Sequence, residues 1–191
     1  MKETLTLTGK LLLICAVIAA LLAFVNSVTA PIIEKNNQIS FEESMTEVLP
    51  GANGFEEADA DGFTPSLEGV SVDSVYAAKD AGYVVTVVCS EGYGGDISVM
   101  TGVNRDLTVA QIKVMSMSET PGLGAKSTEP AFSDQYRGLH DGISVVKGSA
   151  GGENEIAAIS GATITSKAVT KCVNTALEAA AFAGEKEGGQ Q

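Results

Sequence analysis

From Leu11 to Val25 the chain reads LLLICAVIAALLAFV, fifteen residues without a polar side chain. The run continues through NSVTAPII to Ile33 with only mild polarity, so residues 11–33 reach the roughly 20 positions that a bilayer-spanning helix needs. A segment of this kind divides the chain into a tether and whatever follows it. A cleaved signal peptide is the main competing reading, because Lys2 and Lys10 form a basic leader and Val28-Thr29-Ala30 resembles a small-residue cleavage site. Pro31 directly after that site and the length of the run weigh against cleavage. A buried core helix is a third reading. A lipid-modified Cys15 is disfavoured, because Ile14 precedes it and the apolar run continues beyond. The sequence is therefore read as an uncleaved anchor at 11–33. Lys2 and Lys10 precede it, whereas beyond it Lys35 stands beside Glu34, so basic charge favours a cytoplasmic N-terminus, residues 1–10, with the bulk of the chain on the extracytoplasmic side.

The remainder suffices for one domain within a chain of 191 residues. A net charge of −12 argues against nucleic acid, which is bound by clustered Lys and Arg. There are three cysteines and one histidine, with no CxxC pair and no His cluster, so neither a metal centre nor a disulfide framework is indicated. Cys15 lies in the apolar run, Cys89 in a strand-like run and Cys172 in a helix-like one, and they are expected to be buried, inert thiols. His140 has no evident partner and is expected on the surface.

Residues 34–70 read as a polar helix ending near Pro50, followed by an acidic linker. Then come β-branched runs: VSVDSVYAAKD and AGYVVTVVCSEG around a turn at 79–82, and GDISVMTGVN and LTVAQIKVMSMS around a turn at 103–106. Short consecutive strands with tight turns predict a mainly antiparallel sheet. Residues 118–138 hold two prolines and three glycines, the last being Gly138, which predicts a loop with a short helix. ISVVKG and EIAAI are further strand signals. Val169, Cys172, Val173, Ala176, Leu177 and Ala180 recur at helical spacing and mark the buried stripe of a C-terminal helix, with Thr165 or Ser166 as its N-cap. The domain is set at 71–183, and 184–191 is a polar, frayed tail. The fold class is α+β: one transmembrane helix, then one domain with an antiparallel sheet and a C-terminal helix.

Three glycine-bearing loops remain: EGYGGD at 91–96, ETPGLG at 119–124 and SGATITS at 160–166. Each alone is compatible with an ordinary turn or helix cap. Small residues ahead of a helix also suit a bound phosphate, because the first turn offers unpaired N–H groups. In this order, with the N-terminal helix and the longer stretches GYGGDISVMTGV, ETPGLGAKSTEPAF and SGATITSKAV, they resemble the FMN-binding domain of the G subunit of the Rnf electron-transport complex. The related C subunit of the Na⁺-translocating NADH:quinone reductase shares the pattern.

The resemblance implies an FMN joined through its phosphate to the threonine that closes SGAT, Thr163, with Thr165 as the rival acceptor. It implies attachment by a separate flavin transferase, so no activating base and no catalytic residue is expected in this chain. Ser160, Gly161 and Ala162 would give the phosphate and the transferase room. Glu119 and Thr120 would offer polar contacts to flavin or ribityl groups, with Gly122 and Gly124 framing that loop. Leu123 would pack on the isoalloxazine, Lys126 would neutralise phosphate charge, and Tyr93 beside Gly94 would stack near the ring. One departure stands out: the family pattern commonly has aspartate six positions before the acceptor, where this chain has Ala157, with Glu155 the neighbouring carboxylate. The implied function is a membrane-anchored flavoprotein relaying electrons in an Rnf-type ferredoxin:NAD oxidoreductase that moves Na⁺ or H⁺. Its partners are the other subunits of that complex, the transferase and membrane lipid. The alternatives are the equivalent subunit of the quinone reductase and a flavin-free extracytoplasmic binding module.

Overall fold

The computed structural model describes residues 2–188; the last residues of the expected tail, 189–191, lie outside the described residues. Two compact units emerge, one up to Glu43 and one from Ser44 onward.

Helix α1 runs from Lys2 to Val48 without a break. The expected boundary between an anchor and a second, polar helix is absent, even though Pro31 lies inside. Proline costs a helix one hydrogen bond. Nearby, Ser27 and Thr29 turn their hydroxyls back onto the carbonyls of Phe24 and Val25, at 2.8 and 3.0 Å. From Leu7 through Ile33 the large apolar side chains are more than half exposed, and the mean hydropathy reaches 2.7. A helix apolar on every side with nothing packed on it is suited to lipid, and this one is long and apolar enough to cross a membrane. Cys15, expected to be buried, points outward from it.

The second unit is built on a five-stranded antiparallel sheet in the order β1-β2-β3-β4-β5. Its strands are Glu56–Glu57, Val70–Ala78, Gly82–Cys89, Ile97–Asn104 and Val109–Ser116. Alternation sets the two faces. Val85, Val87, Cys89, Ile97, Val99 and Val103 join one continuous core under α3, which spans Thr163–Gly188. All six residues expected on the α3 stripe are buried. Each fully buried valine or leucine there contributes roughly 2 kcal/mol, while the alanines let the helix lie close to the sheet. On the opposite face Val48 meets Gly102, where a Cβ would stand 2.0 Å from the Val48 carbonyl oxygen.

Beyond β5, residues 118–138 form a 3-10 turn at Gly124–Thr128, helix α2 at Pro130–Ser133 and a second 3-10 turn at Asp134–Tyr136. Strands β6 (Ser144–Val146) and β7 (Glu155–Ala157) pair in parallel, apart from the main sheet. The expected frayed tail is helical as far as Gly188. Long-range bonds hold it: Lys186 donates to the Asp61 carbonyl at 2.7 Å and pairs with Asp59, and the Tyr83 hydroxyl donates to Glu187 at 2.9 Å.

Candidate functional site

Chain direction brings the three glycine-bearing loops to one end of the sheet. The β3–β4 connection, the exit of β5 and the N-terminus of α3 meet there. Lys171 and Glu91 pair across this end at 2.6 Å, and the carboxylate holds the ammonium above its ordinary pKa. At the other end α3 finishes beside Tyr83 at the start of β3.

A cleft of 460 Å³ opens between the loops, within the range of small-ligand sites. Tyr93, Glu119, Thr120, Leu123, Gly124, Gly161, Ala162, Thr163, Ile164 and Thr165 line it. All but Ile164 are among the residues that the sequence leads one to expect. Ile164 is 53% exposed, an isoleucine on the open side of a helix start, and an apolar side chain inside the polar stretch SGATITS is the signal that could have found it. With Tyr93 and Leu123, also exposed, it forms an apolar rim.

Four expected residues do not line the cleft. Ser160 is exposed on the turn before α3, and Lys126 is exposed on the 3-10 turn. Gly122 supplies a positive φ of 78° to the Thr120–Gly124 turn. Gly94 acts through its amide, which donates to Glu119 Oε1 at 3.1 Å.

Glu119 is buried, 8% exposed, and its other oxygen accepts the Thr165 hydroxyl at 2.8 Å. One carboxylate thus ties all three loops together. Glycines make the space for it. A Cβ at Gly124 would lie 2.4 Å from Glu119 Oε2 and 2.7 Å from Thr165 Oγ1, and one at Gly92 would lie 2.9 Å from Glu119 Oε1.

α3 begins at Thr163, so neither Thr165 nor Ser166 is its N-cap. Thr165 is spent on Glu119. The Ser166 hydroxyl donates to the Ala162 carbonyl at 2.9 Å and accepts the Ile159 amide at 3.0 Å. Gly161, at φ 78°, makes the turn that feeds the helix, and Leu123 leans over it. Among the described residues the Thr163 hydroxyl has no hydrogen-bond partner, and Thr163 is half-buried at the cleft wall. The N–H groups of the first turn, at 163–165, find no acceptor there either, as expected at a helix start. A free hydroxyl, unpaired amides and an apolar rim make a donor set suited to a phosphate carrying a flat aromatic group.

Elsewhere, His140 is exposed as expected but does have a partner, with Asn154 Nδ2 2.7 Å from its Nδ1. Cys89 and Cys172 are fully buried, and its contact to Cys89 together with burial pushes the Cys172 thiol far up. Glu155 accepts the amides of Gly151 and Gly152 at 3.2 and 2.9 Å, so its carboxylate is engaged away from the position that Ala157 leaves without one.

Residues 92–178, which carry the three loops from Gly92 onward and the start of α3, match the FMN-binding domain family. Fold and site together therefore define a flavin-nucleotide domain on a membrane-type helix. Beyond the domain, the chain is 38% identical over 181 residues to the G subunit of the Na⁺-translocating ferredoxin:NAD⁺ oxidoreductase complex of Acetobacterium woodii, covering 88% of this chain and 87% of that one. It is 34% identical over 176 residues to the G subunit of the proton-translocating ferredoxin:NAD⁺ oxidoreductase complex of Clostridium ljungdahlii, covering 90% and 89%. The chain belongs to the family of G subunits of Rnf-type ion-translocating oxidoreductase complexes. The C subunit of the Na⁺-translocating NADH-quinone reductase from Parabacteroides distasonis shares its fold, with a TM-score of 0.51 at 23% identity over 73% of this chain and 80% of that one. That likeness stops at the fold, and the sequence relatives favour the Rnf-type complex over the quinone-reductase alternative.

Proposed function

We propose that this chain is the electron-transferring flavoprotein of an ion-translocating ferredoxin:NAD oxidoreductase, carrying FMN esterified to Thr163. The free hydroxyl of Thr163 at the cleft wall carries this reading, because Thr165, its rival, is 1% exposed with its hydroxyl bonded to Glu119. Esterifying a hydroxyl with a phosphate requires an activated donor, and a flavin dinucleotide such as FAD supplies one. Thr163 Oγ forms the new bond to the flavin-side phosphorus and the anhydride P–O bond breaks. AMP leaves with the bonding pair, and the hydroxyl proton passes to a base of the separate transferase. Once attached, FMN supplies reversible transfer of one or two electrons.

The chain's own residues do the rest. The first-turn amides of α3 would hold the ester phosphate, and Tyr93, Leu123 and Ile164 on the rim would shield the ring from water. Glu119 and Thr120 provide polar contacts in the cleft. α1 holds the domain at the membrane beside the other members of the complex, which raises its effective concentration there. The N-terminus is cytoplasmic and the flavin domain extracytoplasmic, where a covalent link prevents loss of the cofactor by dilution.

Intact-protein mass spectrometry after coexpression with a flavin transferase tests the attachment. One FMN per chain is expected, lost in Thr163→Ala and still added in Thr165→Val, which has no hydroxyl at the rival position. Absence of any addition in the parent chain would instead favour the flavin-free binding module, for which the missing carboxylate at Ala157 is the motivating feature.

A further inference from the structure

Thr163 and Thr165 are two residues apart on one helical turn, and each residue advances an α-helix by about 100°. Their side chains leave the helix axis in nearly opposite directions. All three residues 163–165 line the cleft, but Thr165 is 1% exposed, whereas Thr163 is half-buried and Ile164 is 53% exposed. The carbonyls of the first turn are engaged by the turn that follows, but its N–H groups have no intrahelical partner, so this end of the helix is the part most open to fraying. A side-chain contact can hold it in place. The Glu119 carboxylate is placed to do so: Oε2 takes the Thr165 hydroxyl at 2.8 Å and Oε1 takes the Gly94 amide at 3.1 Å. Gly124 covers the contact so tightly that a Cβ would stand within 2.4 Å of the carboxylate and 2.7 Å of the hydroxyl.

We infer that Glu119 is a positioning residue for flavin attachment: its bond to Thr165 sets the rotation of the first turn of α3 and so presents the Thr163 hydroxyl outward. This rests on Thr163 being the acceptor. Glu119 acts on the turn while the FMN is being attached and need not touch the flavin to do so. A misaimed hydroxyl still lets the transferase bind its protein substrate but slows phosphoryl transfer, so the defect belongs in kcat and not in KM. Misplacement of a reacting atom by about 1 Å costs on the order of a hundredfold.

The full-length chain in detergent is incubated with purified flavin transferase, Mg²⁺ and FAD, and initial attachment rates are read by intact mass at several concentrations of the chain. Glu119→Met and Thr165→Val are expected to lower kcat by roughly tenfold to a hundredfold, with KM for the chain within about twofold of the parent, whereas Thr165→Ser keeps the parent rate. The two damaging variants cut the contact from opposite ends, so either one that melts near the parent temperature carries the test. If neither does, the carboxylate is a folding element and the inference falls. Parent-like kcat in a folded variant, a defect confined to KM, or failure of Thr165→Ser to keep the rate each overturns it. A parent chain that takes no flavin at Thr163 overturns the attachment reading as well, which separates the two failures.

Discussion

The side-chain amide of Gln135 brackets the peptide of Ala157: Oε1 accepts the Ala157 N–H at 2.8 Å, and Nε2 donates to the Ala157 carbonyl at 3.4 Å. It thereby takes the place of a further strand along the open edge of β7, immediately before the turn that carries Thr163. Gln135→Ala leaves both backbone groups without that partner in a part-buried setting, and a loss of about 1–2 kcal/mol is expected. Thermal unfolding of the full chain in detergent checks it. An unchanged midpoint would mean that water replaces the amide at no cost.

Ala157 occupies the position six residues before Thr163 where the Rnf resemblance leads one to expect aspartate. Glu155 cannot substitute, since its carboxylate holds the amides of Gly151 and Gly152. Ala157→Asp restores an anionic group six positions before the acceptor, and faster attachment is expected, by several-fold in initial rate. The gain must vanish in the double variant with Thr163→Ala. Intact mass over a time course reads both. A rate unchanged by the aspartate would show that this chain's transferase relies on other contacts.

What is legible in the sequence, and what is hidden, follows from the range of the interactions. β2 to β5 are β-branched runs with tight turns, a local signal, and they stand where that signal puts them. β1 is a strand of two residues, too short for alternation to register, whereas β6 and β7 fall inside the runs ISVVKG and EIAAI and only their parallel pairing apart from the main sheet is hidden. Thr165 reads as a helix cap because hydroxyls before an apolar stripe usually are caps. Its partner lies 46 residues away, and no local pattern announces such a bond. Gly92 and Gly124 are legible as loop glycines but not as the clearance around one buried carboxylate, because that role exists only after β3, β5 and α3 have assembled. The continuity of α1 is hidden by the change from apolar to polar residues after Ile33, which reads locally as the end of an anchor and the start of a second helix.

Tyr83 gives the stability a pH dependence in alkali. Partial burial, and then its hydrogen bond to Glu187, raise the phenol from 10.0 to about 12. Between those values the unfolded chain loses this proton while the folded chain keeps it. The folded state therefore binds more protons, and stability falls as pH rises through that window. Below pH 10 the contribution is fully present. Tyr83→Phe is expected to flatten this part of the profile, and an ultraviolet titration of the folded chain should show two tyrosines ionising late, Tyr83 and the buried Tyr136, of which the phenylalanine variant loses the first. A profile equally steep in the phenylalanine variant would assign the slope to other groups.

Gly102 marks a contact between two stretches of backbone. A Cβ there would lie 2.0 Å from the Val48 carbonyl oxygen and 2.6 Å from its carbon, and neither atom belongs to a flexible side chain. Relief requires the end of α1 to lift from β4, with Met45, Val48 and Leu49 losing their burial. Gly102→Ala is therefore expected to cost about 2–4 kcal/mol, at the upper end for an overpacked site. Gly142→Ala is the matched control: its φ is +84° but nothing lies within 4 Å of the added methyl, so only backbone strain of about 1–2 kcal/mol applies. Thermal or urea unfolding of both variants ranks them. If Gly102→Ala proves no more destabilising than the control, the junction of α1 with the sheet yields more easily than two abutting backbones should.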